Sequence, residues 1–325
     1  MEIIMSKKLY ICHTVYHVYI TLLKAYVDKE VDIALVDTIS NINVLKNRLE
    51  TSKIFNNVYA IDREKLFGKS IRTFLGNYLN NRLRKKEIIA NLNFIESYQD
   101  IYIFNDYTEF GDFLELRNIK YHLLEDGLDA FKQFDQYKDV GHGFVLKKVL
   151  YFLFKIPYSV GLNKNCIDIE VNDKMGLKTQ LLHPIIVQSR SELLGRLSDG
   201  YLHTVFEIFG VGHVTLSDKK LLLLTQILKE ILVVNSDKEQ VELYRKALKE
   251  YGEGYDIYIK PHPRDAIDYS SLEKEFNAVC LDRNIPMEIY SLMPGMKFKV
   301  LLTYSSTAAN MKGLGDQVIR LDCNA

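Results

Sequence analysis

Short apolar runs recur along the first part of the chain, separated by segments whose apolar positions repeat every three to four residues. The runs at residues 7–12, 31–36 and 58–61 are typical of buried strands. The segments between them are typical of amphipathic helices. Strands that alternate with helices form parallel sheets with crossover connections, so this part of the chain is predicted to be a βαβαβ unit.

Two more strands are predicted at residues 101–104 and 121–124. Residues 67–97 are rich in lysine, arginine and asparagine, which indicates one or two solvated helices. From residue 161 to residue 212, asparagine, glycine, proline and serine interrupt the periodicity. We interpret that stretch as the end of a first domain and its connection to a second.

A second α/β pattern begins at residues 221–224, an uninterrupted apolar run of the kind found in strands buried on both faces. Ser236 is predicted to cap a helix that ends near Gly252. Further strands are predicted at residues 255–260, 278–281, 299–303 and 318–321, and further helices at residues 272–276 and 286–292. The predicted fold class is α/β, with two α/β domains at residues 1–212 and 213–325.

Composition excludes several classes of function. The 325 residues include 42 lysines and arginines against 42 aspartates and glutamates, so no net positive charge attracts nucleic acid. The four cysteines lie far apart, which indicates neither a zinc site nor a disulfide framework and fits a reducing compartment. The start of the sequence lacks a signal-peptide core, and no apolar run reaches the roughly 18 to 20 residues that span a bilayer. We expect a cytoplasmic protein.

Residues 144–160 form the most apolar segment, although Lys147, Lys148 and Lys155 interrupt it. We interpret it as a helix packed in the core or between domains. A helix on the inner face of the membrane, with its lysines directed to the headgroups, is the alternative. A homodimer through this segment is a further hypothesis.

The candidate chemistry lies at the ends of predicted strands, where ligands bind in α/β proteins. His262 follows such a strand and stands between Pro261 and Pro263, which stiffen the turn because proline fixes φ. A protonated histidine beside a phosphate can donate a proton to a leaving group, and Lys260 and Arg264 add positive potential. A rigid strand exit without chemistry is the alternative.

A second candidate follows the strand at residues 299–303. Ser305, Ser306 and Thr307 stand where this strand passes into a predicted helix, so their hydroxyls and backbone amides can bind a phosphate. Simple N-capping of the helix is the alternative. Because this turn and His262 follow strands of one predicted sheet, both are expected to face the same anionic ligand.

A third candidate lies in the N-terminal domain, where Glu125, Asp126 and Gly127 follow a strand. A carboxylate within reach of a hydroxyl is a general base, and a glycine permits close approach of the turn. Either acid is a candidate for the base. An ordinary acidic turn is the alternative.

Other motifs receive no support. The sequence contains no GxGxxG, GxxxxGK[ST] or GxSxG pattern and no DxD, so a Rossmann dinucleotide site, a P-loop and a serine-hydrolase elbow are not indicated. Cys12, His13 and His17 lie on a strand end and the following helix. We interpret them as core or cleft-lining residues rather than as a metal site or a thiol–imidazole pair.

Together these motifs resemble those of the bacterial sialyltransferases, which share a D/E-D/E-G motif, an HP motif and a downstream serine/threonine motif. Here they occupy residues 125–127, 262–263 and 305–307. With its ICHTVYHVYI start and its LLLLTQ strand, the chain most resembles glycosyltransferase family 52, which includes lipooligosaccharide and capsule sialyltransferases. The resemblance implies a GT-B fold, in which two Rossmann-like domains face each other across a cleft.

The resemblance also implies an activity, which is inverting transfer of sialic acid from CMP-sialic acid to a terminal galactose of a cell-surface glycan, expected to form an alpha-2,3 linkage. No metal or other cofactor is implied. Asp126 or Glu125 would deprotonate the galactose hydroxyl, and His262 would protonate or neutralise the departing phosphate. Ser305 and Ser306 would bind that phosphate.

The remaining motif residues are expected to support the same site. Gly127 and Pro263 would shape the turns, and Thr307 and Lys260 are expected among the residues that bind the nucleotide. Two other functions remain open. The chain could transfer another sugar, such as glucose from its nucleotide, or serve as a non-catalytic, sugar-nucleotide-binding subunit of a capsule assembly complex.

Overall fold

The computed structural model describes residues 7–68, 85–127, 130–133, 149, 159–177, 181–212 and 219–321. The chain divides into two compact units, residues 1–209 and 210–325. Each unit has its own parallel sheet with helices, which confirms the predicted α/β class. Most of the apolar segment at residues 144–160 lies outside the described residues, as does Cys323, so the membrane-surface and dimer hypotheses stay predictions.

The N-terminal unit is built on a seven-stranded sheet. Its strands are β1 (Lys8–Cys12), β2 (Val31–Val36), β3 (Val58–Ile61), β4 (Asp100–Ile103), β5 (Tyr121–Leu124), β6 (Cys166–Val171) and β7 (Ile185–Val187). They lie in the order β3-β2-β1-β4-β5-β6-β7, so the order reverses between β1 and β4. In open parallel sheets, ligands bind at the carboxyl edge beside such a reversal.

Helix α1 (Val15–Ala25) follows β1 directly. Its N-terminus is fixed by Thr14, whose hydroxyl accepts a hydrogen bond from the backbone amide of His17 at 3.2 Å. The cap therefore sets where the first turn of α1 lies relative to the end of β1. The other described helices of this unit are Ile42–Ser52, Arg63–Phe67, Lys85–Leu92, Glu109–Arg117, Ala130–Gln133, Arg190–Gly195 and Asp199–Phe209, with a 3-10 helix at Asn93–Ser97.

Residues 161–212, interpreted from the sequence as a connection, instead contribute β6 and β7 to the sheet. The apolar pattern of β6 is obscured because its polar side chains pair with neighbouring elements. An oxygen of Asp168 lies 3.0 Å from His122 Nδ1, and Arg190 Nη1 donates to Glu170 Oε1 at 2.8 Å. Such pairing allows charged residues to sit in a strand that periodicity alone does not identify.

The C-terminal unit is built on a five-stranded parallel sheet. Its strands are β8 (Lys220–Leu224), β9 (Asp256–Lys260), β10 (Val279–Cys280), β11 (Phe298–Thr303) and β12 (Gly315–Arg320). They lie in the order β10-β9-β8-β11-β12, so the reversal falls between β8 and β11. Residues 221–224 of β8 are all buried, as their uninterrupted apolar run predicts, and Lys220 is buried with them.

The helices of the C-terminal unit follow local sequence signals. Ser236 caps the helix Asp237–Tyr251, accepting from the backbone amide of Glu239 at 3.2 Å, which confirms the predicted start. The helix predicted after Ser306 is instead a single 3-10 turn of four residues. The remaining described helices are Ser270–Phe276 and Met287–Tyr290, and the 3-10 turn is Thr307–Asn310.

Three further observations concern only the residues that the structure describes. None of their helices is both long and apolar enough to cross a membrane. Cys12, Cys166 and Cys280 are free thiols. No three histidine, cysteine, aspartate or glutamate side chains among these residues come together as a group able to hold a metal ion, and a metal-independent reaction stays a prediction.

Candidate functional site

The carboxylate of Asp126 lies at the carboxyl edge of the N-terminal sheet, two residues beyond β5, and its side chain is 40% exposed. Among the described residues, two side chains bind this carboxylate. His17 Nε2 lies 2.6 Å from Oδ1, and Asn105 Nδ2 donates to Oδ2 at 3.1 Å. These partners come from α1 and from the end of β4, so three elements beside the strand reversal converge on one carboxylate.

His17 is 1% exposed and lies in the first turn of α1. Its Nδ1 accepts a hydrogen bond from the backbone amide of His13 at 3.1 Å. This bond assigns the ring hydrogen to Nε2, which faces Asp126. The imidazole also stacks on Phe104, with ring centroids 4.1 Å apart and planes 4° from parallel.

Asn105 links the same carboxylate to the loop after β4. Its Oδ1 accepts from the backbone amide of Tyr107 at 2.9 Å, which leaves the amide nitrogen facing Asp126. The side chain therefore has one orientation that satisfies both partners. Sequence reasoning did not select Asn105, although its position directly after a strand end was a usable signal.

Glu125 is oriented differently from its neighbour. It is 1% exposed, and its Oε2 accepts from the backbone amide of Asn172 at 3.0 Å. Its own backbone amide donates to the carbonyl of Glu170. Successive residues of an extended chain point to opposite sides, so one acid of the pair holds the neighbouring loop while Asp126 faces outward.

Gly127 completes the motif. A Cβ placed on it would meet nothing within 4 Å among the described atoms. The described atoms therefore do not make the close approach for which a glycine was predicted here. The carbonyl of Gly127 accepts from the backbone amide of Ala130 at 3.1 Å. The contact shows a local turn in which the glycine is not sterically required.

His13 and Cys12 lie at the end of β1, as interpreted from the sequence. Burial lowers the pKa of His13 to about 4, and the nearby His17 adds to this shift. Burial raises the pKa of the Cys12 thiol to about 12, and its Sγ lies 3.3 Å from Thr21 Oγ1. Since the thiol stays protonated at neutral pH, a thiolate–imidazolium pair is excluded.

His262 lies at the carboxyl edge of the C-terminal sheet, two residues beyond β9, and is half-buried. Its backbone amide donates to Thr225 Oγ1 at 3.1 Å, and its Nδ1 accepts from the backbone amide of Arg264 at 3.2 Å. The ring hydrogen is therefore on Nε2, for which no described residue is a hydrogen-bond partner. Burial lowers the pKa of His262, and the positive charge of Arg264 lowers it further.

A buried network holds this turn. Asp265 is 3% exposed, and its Oδ2 accepts from Thr225 Oγ1 at 2.6 Å and from the hydroxyl of Tyr269 at 2.7 Å. The backbone amide of Asp265 donates to the carbonyl of His262 at 2.8 Å. Thr225 thus connects the end of β8 to both ends of the turn. Sequence reasoning missed Thr225 and Asp265, although each lies within five residues of a strand end.

Lys260, the last residue of β9, is 5% exposed and contacts the turn that carries His262. Its Nζ donates to the carbonyls of Pro261 at 3.0 Å and Arg283 at 3.2 Å. Burial lowers the pKa of Lys260 to about 8. The ammonium therefore braces two loops, while Pro263 and Arg264 are the exposed members of the turn.

Ser305 and Thr307 are exposed beyond the end of β11, and Ser306 is half-buried. The backbone amide of Ser306 donates to Thr303 Oγ1 at 2.9 Å. The side chain of Ser306 makes no capping hydrogen bond to the 3-10 turn, so the structure does not support N-capping by Ser306.

The turn at residues 305–307 and His262 lie at the same edge of one sheet, as predicted. They follow β11 and β9, which both border β8. Neighbouring strands are about 4.8 Å apart, so the two turns begin about 10 Å apart.

Comparison with solved structures defines the class of fold. The chain is similar to the UDP-GlcNAc 2-epimerase from Neisseria meningitidis bound to UDP-GlcNAc, at 12% identity over 97% of this chain and 81% of that chain, with a TM-score of 0.53. It is also similar to TcCGT1 in complex with UDP, at 10% identity over 94% of this chain and 78% of that chain, with a TM-score of 0.51. These likenesses show the fold, which is the two-sheet α/β fold of GT-B proteins.

Comparison of sequences is more specific. The model of glycosyltransferase family 52 matches residues 52–321, and the chain belongs to this family. Membership confirms the predicted resemblance. A protein from Haemophilus influenzae described as uncharacterized is 26% identical over 205 residues, which cover 60% of this chain and 60% of the relative.

Proposed function

We propose that this family 52 member is an inverting sialyltransferase. It transfers sialic acid from CMP-sialic acid to a terminal galactose of a capsule repeat or lipooligosaccharide, without a metal ion. The observation that carries the proposal is the exposed Asp126 carboxylate, fixed by donors on both oxygens. A subunit that only binds sugar nucleotides has no need of an oriented, accessible carboxylate.

Asp126 is the proposed general base, and Glu125 is a structural residue. A base must reach the hydroxyl from which it takes a proton, and only Asp126 is exposed. In the transfer step a galactose oxygen forms a bond to the anomeric carbon of sialic acid, and its proton passes to Asp126. Attack from the face opposite the leaving phosphate inverts the anomeric centre.

His262 is the proposed partner of the leaving group. As the bond between the anomeric carbon and the phosphate oxygen breaks, the electron pair remains on CMP. The Nε2–H of His262 stabilises that oxygen by donating a hydrogen bond or the proton itself. Burial lowers the pKa of His262 in the free protein, and a bound phosphate dianion raises it again.

The rest of the C-terminal edge binds the nucleotide in this proposal. Ser305, Ser306 and Thr307 offer their hydroxyls to the phosphate, while the backbone amide of Ser306 is already bonded to Thr303 Oγ1. Pro263 shapes the histidine turn, and Lys260 holds it in place while adding positive potential. The N-terminal unit binds the acceptor in this proposal, and Gly127 lies there next to the proposed base.

The test is CMP release from CMP-N-acetylneuraminic acid, measured in EDTA with and without lactose. We expect lactose-dependent release by the wild-type protein and a loss of roughly 100-fold or more in His262→Ala. His203→Ala is a matched control, because His203 is an exposed histidine on the helix Asp199–Phe209. It should release CMP at the wild-type rate.

Two results would contradict the proposal. Stabilisation of the folded protein by UDP but not by CMP, in a thermal shift assay, would indicate another nucleotide sugar. Activity that survives both His262→Ala and Asp126→Ala would indicate a non-catalytic binding subunit in a contaminated preparation. The proposed site of action is the cytoplasm, at the inner face of the membrane where glycan acceptors are assembled.

A further inference from the structure

We infer that His17 is a positioning residue that orients the carboxylate of Asp126 for its proposed role as the base. This inference rests on the proposed function. The two residues are 109 positions apart in the sequence, yet His17 Nε2 and Asp126 Oδ1 are separated by 2.6 Å. The short contact joins an otherwise buried helix to an exposed residue of the candidate site.

The imidazole of His17 has little freedom to rotate. Nδ1 is held by the backbone amide of His13, and the ring face is stacked on Phe104. Thr14 fixes the backbone of the same helical turn. A donor that is already immobile orients its acceptor without losing further conformational entropy, so the geometry of Asp126 is determined largely by His17.

Asn105 and His17 together restrict the carboxylate while leaving it able to accept a proton. A carboxylate has about four lone-pair directions, and these two donors occupy two of them. The side chain of Asp126 remains 40% exposed, so unused directions face solvent. A base held in this way is ready to meet a hydroxyl in one orientation, which is the source of large effective molarities.

Two other roles for His17 fit the geometry less well. It is 1% exposed, so it cannot itself remove a proton from a glycan. A purely packing role explains the stacking on Phe104 but gives no reason for a nitrogen donor directed at Asp126. The packing and donor roles make different predictions for substitutions that keep the ring or keep the donor.

The first experiment compares His17→Phe with His17→Gln. Phenylalanine keeps an aromatic ring on Phe104 but has no donor, whereas the amide nitrogen of glutamine is as many bonds from the backbone as Nε2 of histidine. We expect kcat to fall roughly 10- to 100-fold in His17→Phe, with the KM for the donor unchanged. His17→Gln should recover kcat to within about 5-fold of wild type.

His122→Phe is a matched control for loss of a stacked, carboxylate-bonded histidine. His122 stacks on Tyr102 and lies 3.0 Å from Asp168 on the same sheet. We expect it to lower the melting temperature without a change in kcat. Equal kcat values for His17→Phe and wild type, or equal losses in His17→Phe and His17→Gln, would overturn the inference.

A second measurement needs neither substrate nor a substitution of His17. In the ¹⁵N spectrum of histidine-labelled wild type, we expect a ring with a hydrogen on Nε2 and an acceptor nitrogen at Nδ1. Its Nε2–H resonance should move in Asp126→Ala and stay in place in Glu125→Gln. The inference would be contradicted if His17 Nε2 carried no hydrogen, or if its resonance had the same chemical shift in Asp126→Ala as in the wild-type protein.

The two measurements separate this inference from the proposed function. If the wild-type protein transfers no sugar from any nucleotide, the proposed function fails, and the spectrum alone decides whether His17 orients Asp126. If sugar transfer occurs but the His17 resonance does not move in Asp126→Ala, the inference fails while the proposed function stands.

Discussion

In the N-terminal unit the candidate base is a side chain held by other side chains, whereas in the C-terminal unit the candidate acid is held through its backbone. His17 and Asn105 bind the carboxylate of Asp126 directly. Around His262, the contacts of Thr225 and Asp265 are with the amide and carbonyl of the turn. Among the residues that the structure describes, the imidazole is hydrogen-bonded only at Nδ1.

The two histidines at these edges share one hydrogen-bond arrangement. In both His17 and His262, Nδ1 accepts from a backbone amide, so that the hydrogen lies on Nε2. His17 directs that hydrogen to a carboxylate of the protein, while among the described residues nothing receives it from His262. In the proposed function, the same histidine geometry orients the base at one edge and is open to an anionic ligand at the other.

The largest expected effect is on the N-terminal edge. Asp126→Asn keeps the shape of the side chain but removes the proposed base, and we expect kcat to fall roughly 100- to 1000-fold. Glu125→Gln is the control, since the Glu125 side chain is buried and accepts a hydrogen bond from the backbone amide of Asn172. It should lower the melting temperature with kcat within about 5-fold of wild type. The reverse pattern in steady-state kinetics would transfer the base role to Glu125.

A smaller effect is expected from the network under His262. Asp265→Ala leaves the hydroxyls of Thr225 and Tyr269 buried without their acceptor. We expect a loss of about 3 kcal/mol in the free energy of unfolding and weaker binding of CMP, both measured on purified protein. Asp268→Ala removes an exposed acid of the same loop that accepts hydrogen bonds from Ser270, so it should leave CMP binding unchanged and cost much less stability than Asp265→Ala. An Asp265→Ala variant with unchanged stability and CMP binding would show that the turn is held in another way.

Protonation of His262 should be coupled to nucleotide binding. Burial lowers the pKa of His262 in the free protein, and a bound phosphate raises it, so the complex holds more protons than the separate partners. CMP affinity is then expected to rise as pH falls from the pKa of His262 in the complex to its pKa in the free protein, by up to about 10-fold per pH unit. Calorimetry in buffers of different ionisation enthalpy should show up to one proton taken up, and none in His262→Gln. Equal uptake by both proteins would contradict this coupling.

The smallest expected effect concerns Lys260, whose Nζ donates to the carbonyls of Pro261 and Arg283. Its pKa is about 8 in the folded protein and roughly 10.4 in an unfolded chain, so between these values the unfolded state binds more protons. Stability therefore rises with pH in this window, by about 0.7 kcal/mol from pH 7.5 to pH 8.5. Urea unfolding should show that Lys260→Met lacks this rise, and parallel pH dependence of the two proteins would argue against it.

Much of the fold is determined by short stretches of sequence. The apolar runs at residues 33–36 of β2 and 221–224 of β8 are buried along their whole length, because a run without polar residues is stable only where both faces of the strand are covered. The caps at Thr14 and Ser236 depend on residues three positions apart. The motif residues could be placed at the carboxyl edges from sequence because strand ends are local features.

Only the tertiary structure decided which of these residues act together. Glu125 and Asp126 have the same chemistry in the sequence, and their different burial depends on which side of the chain the loop of Asn172 occupies. The contacts of Asp126 with His17 and of Thr225 with Asp265 join positions far apart in the chain. Sequence periodicity reports which face of an element is buried. It does not report which side chain of another element lies opposite, because that depends on strand order and on the packing of the whole sheet.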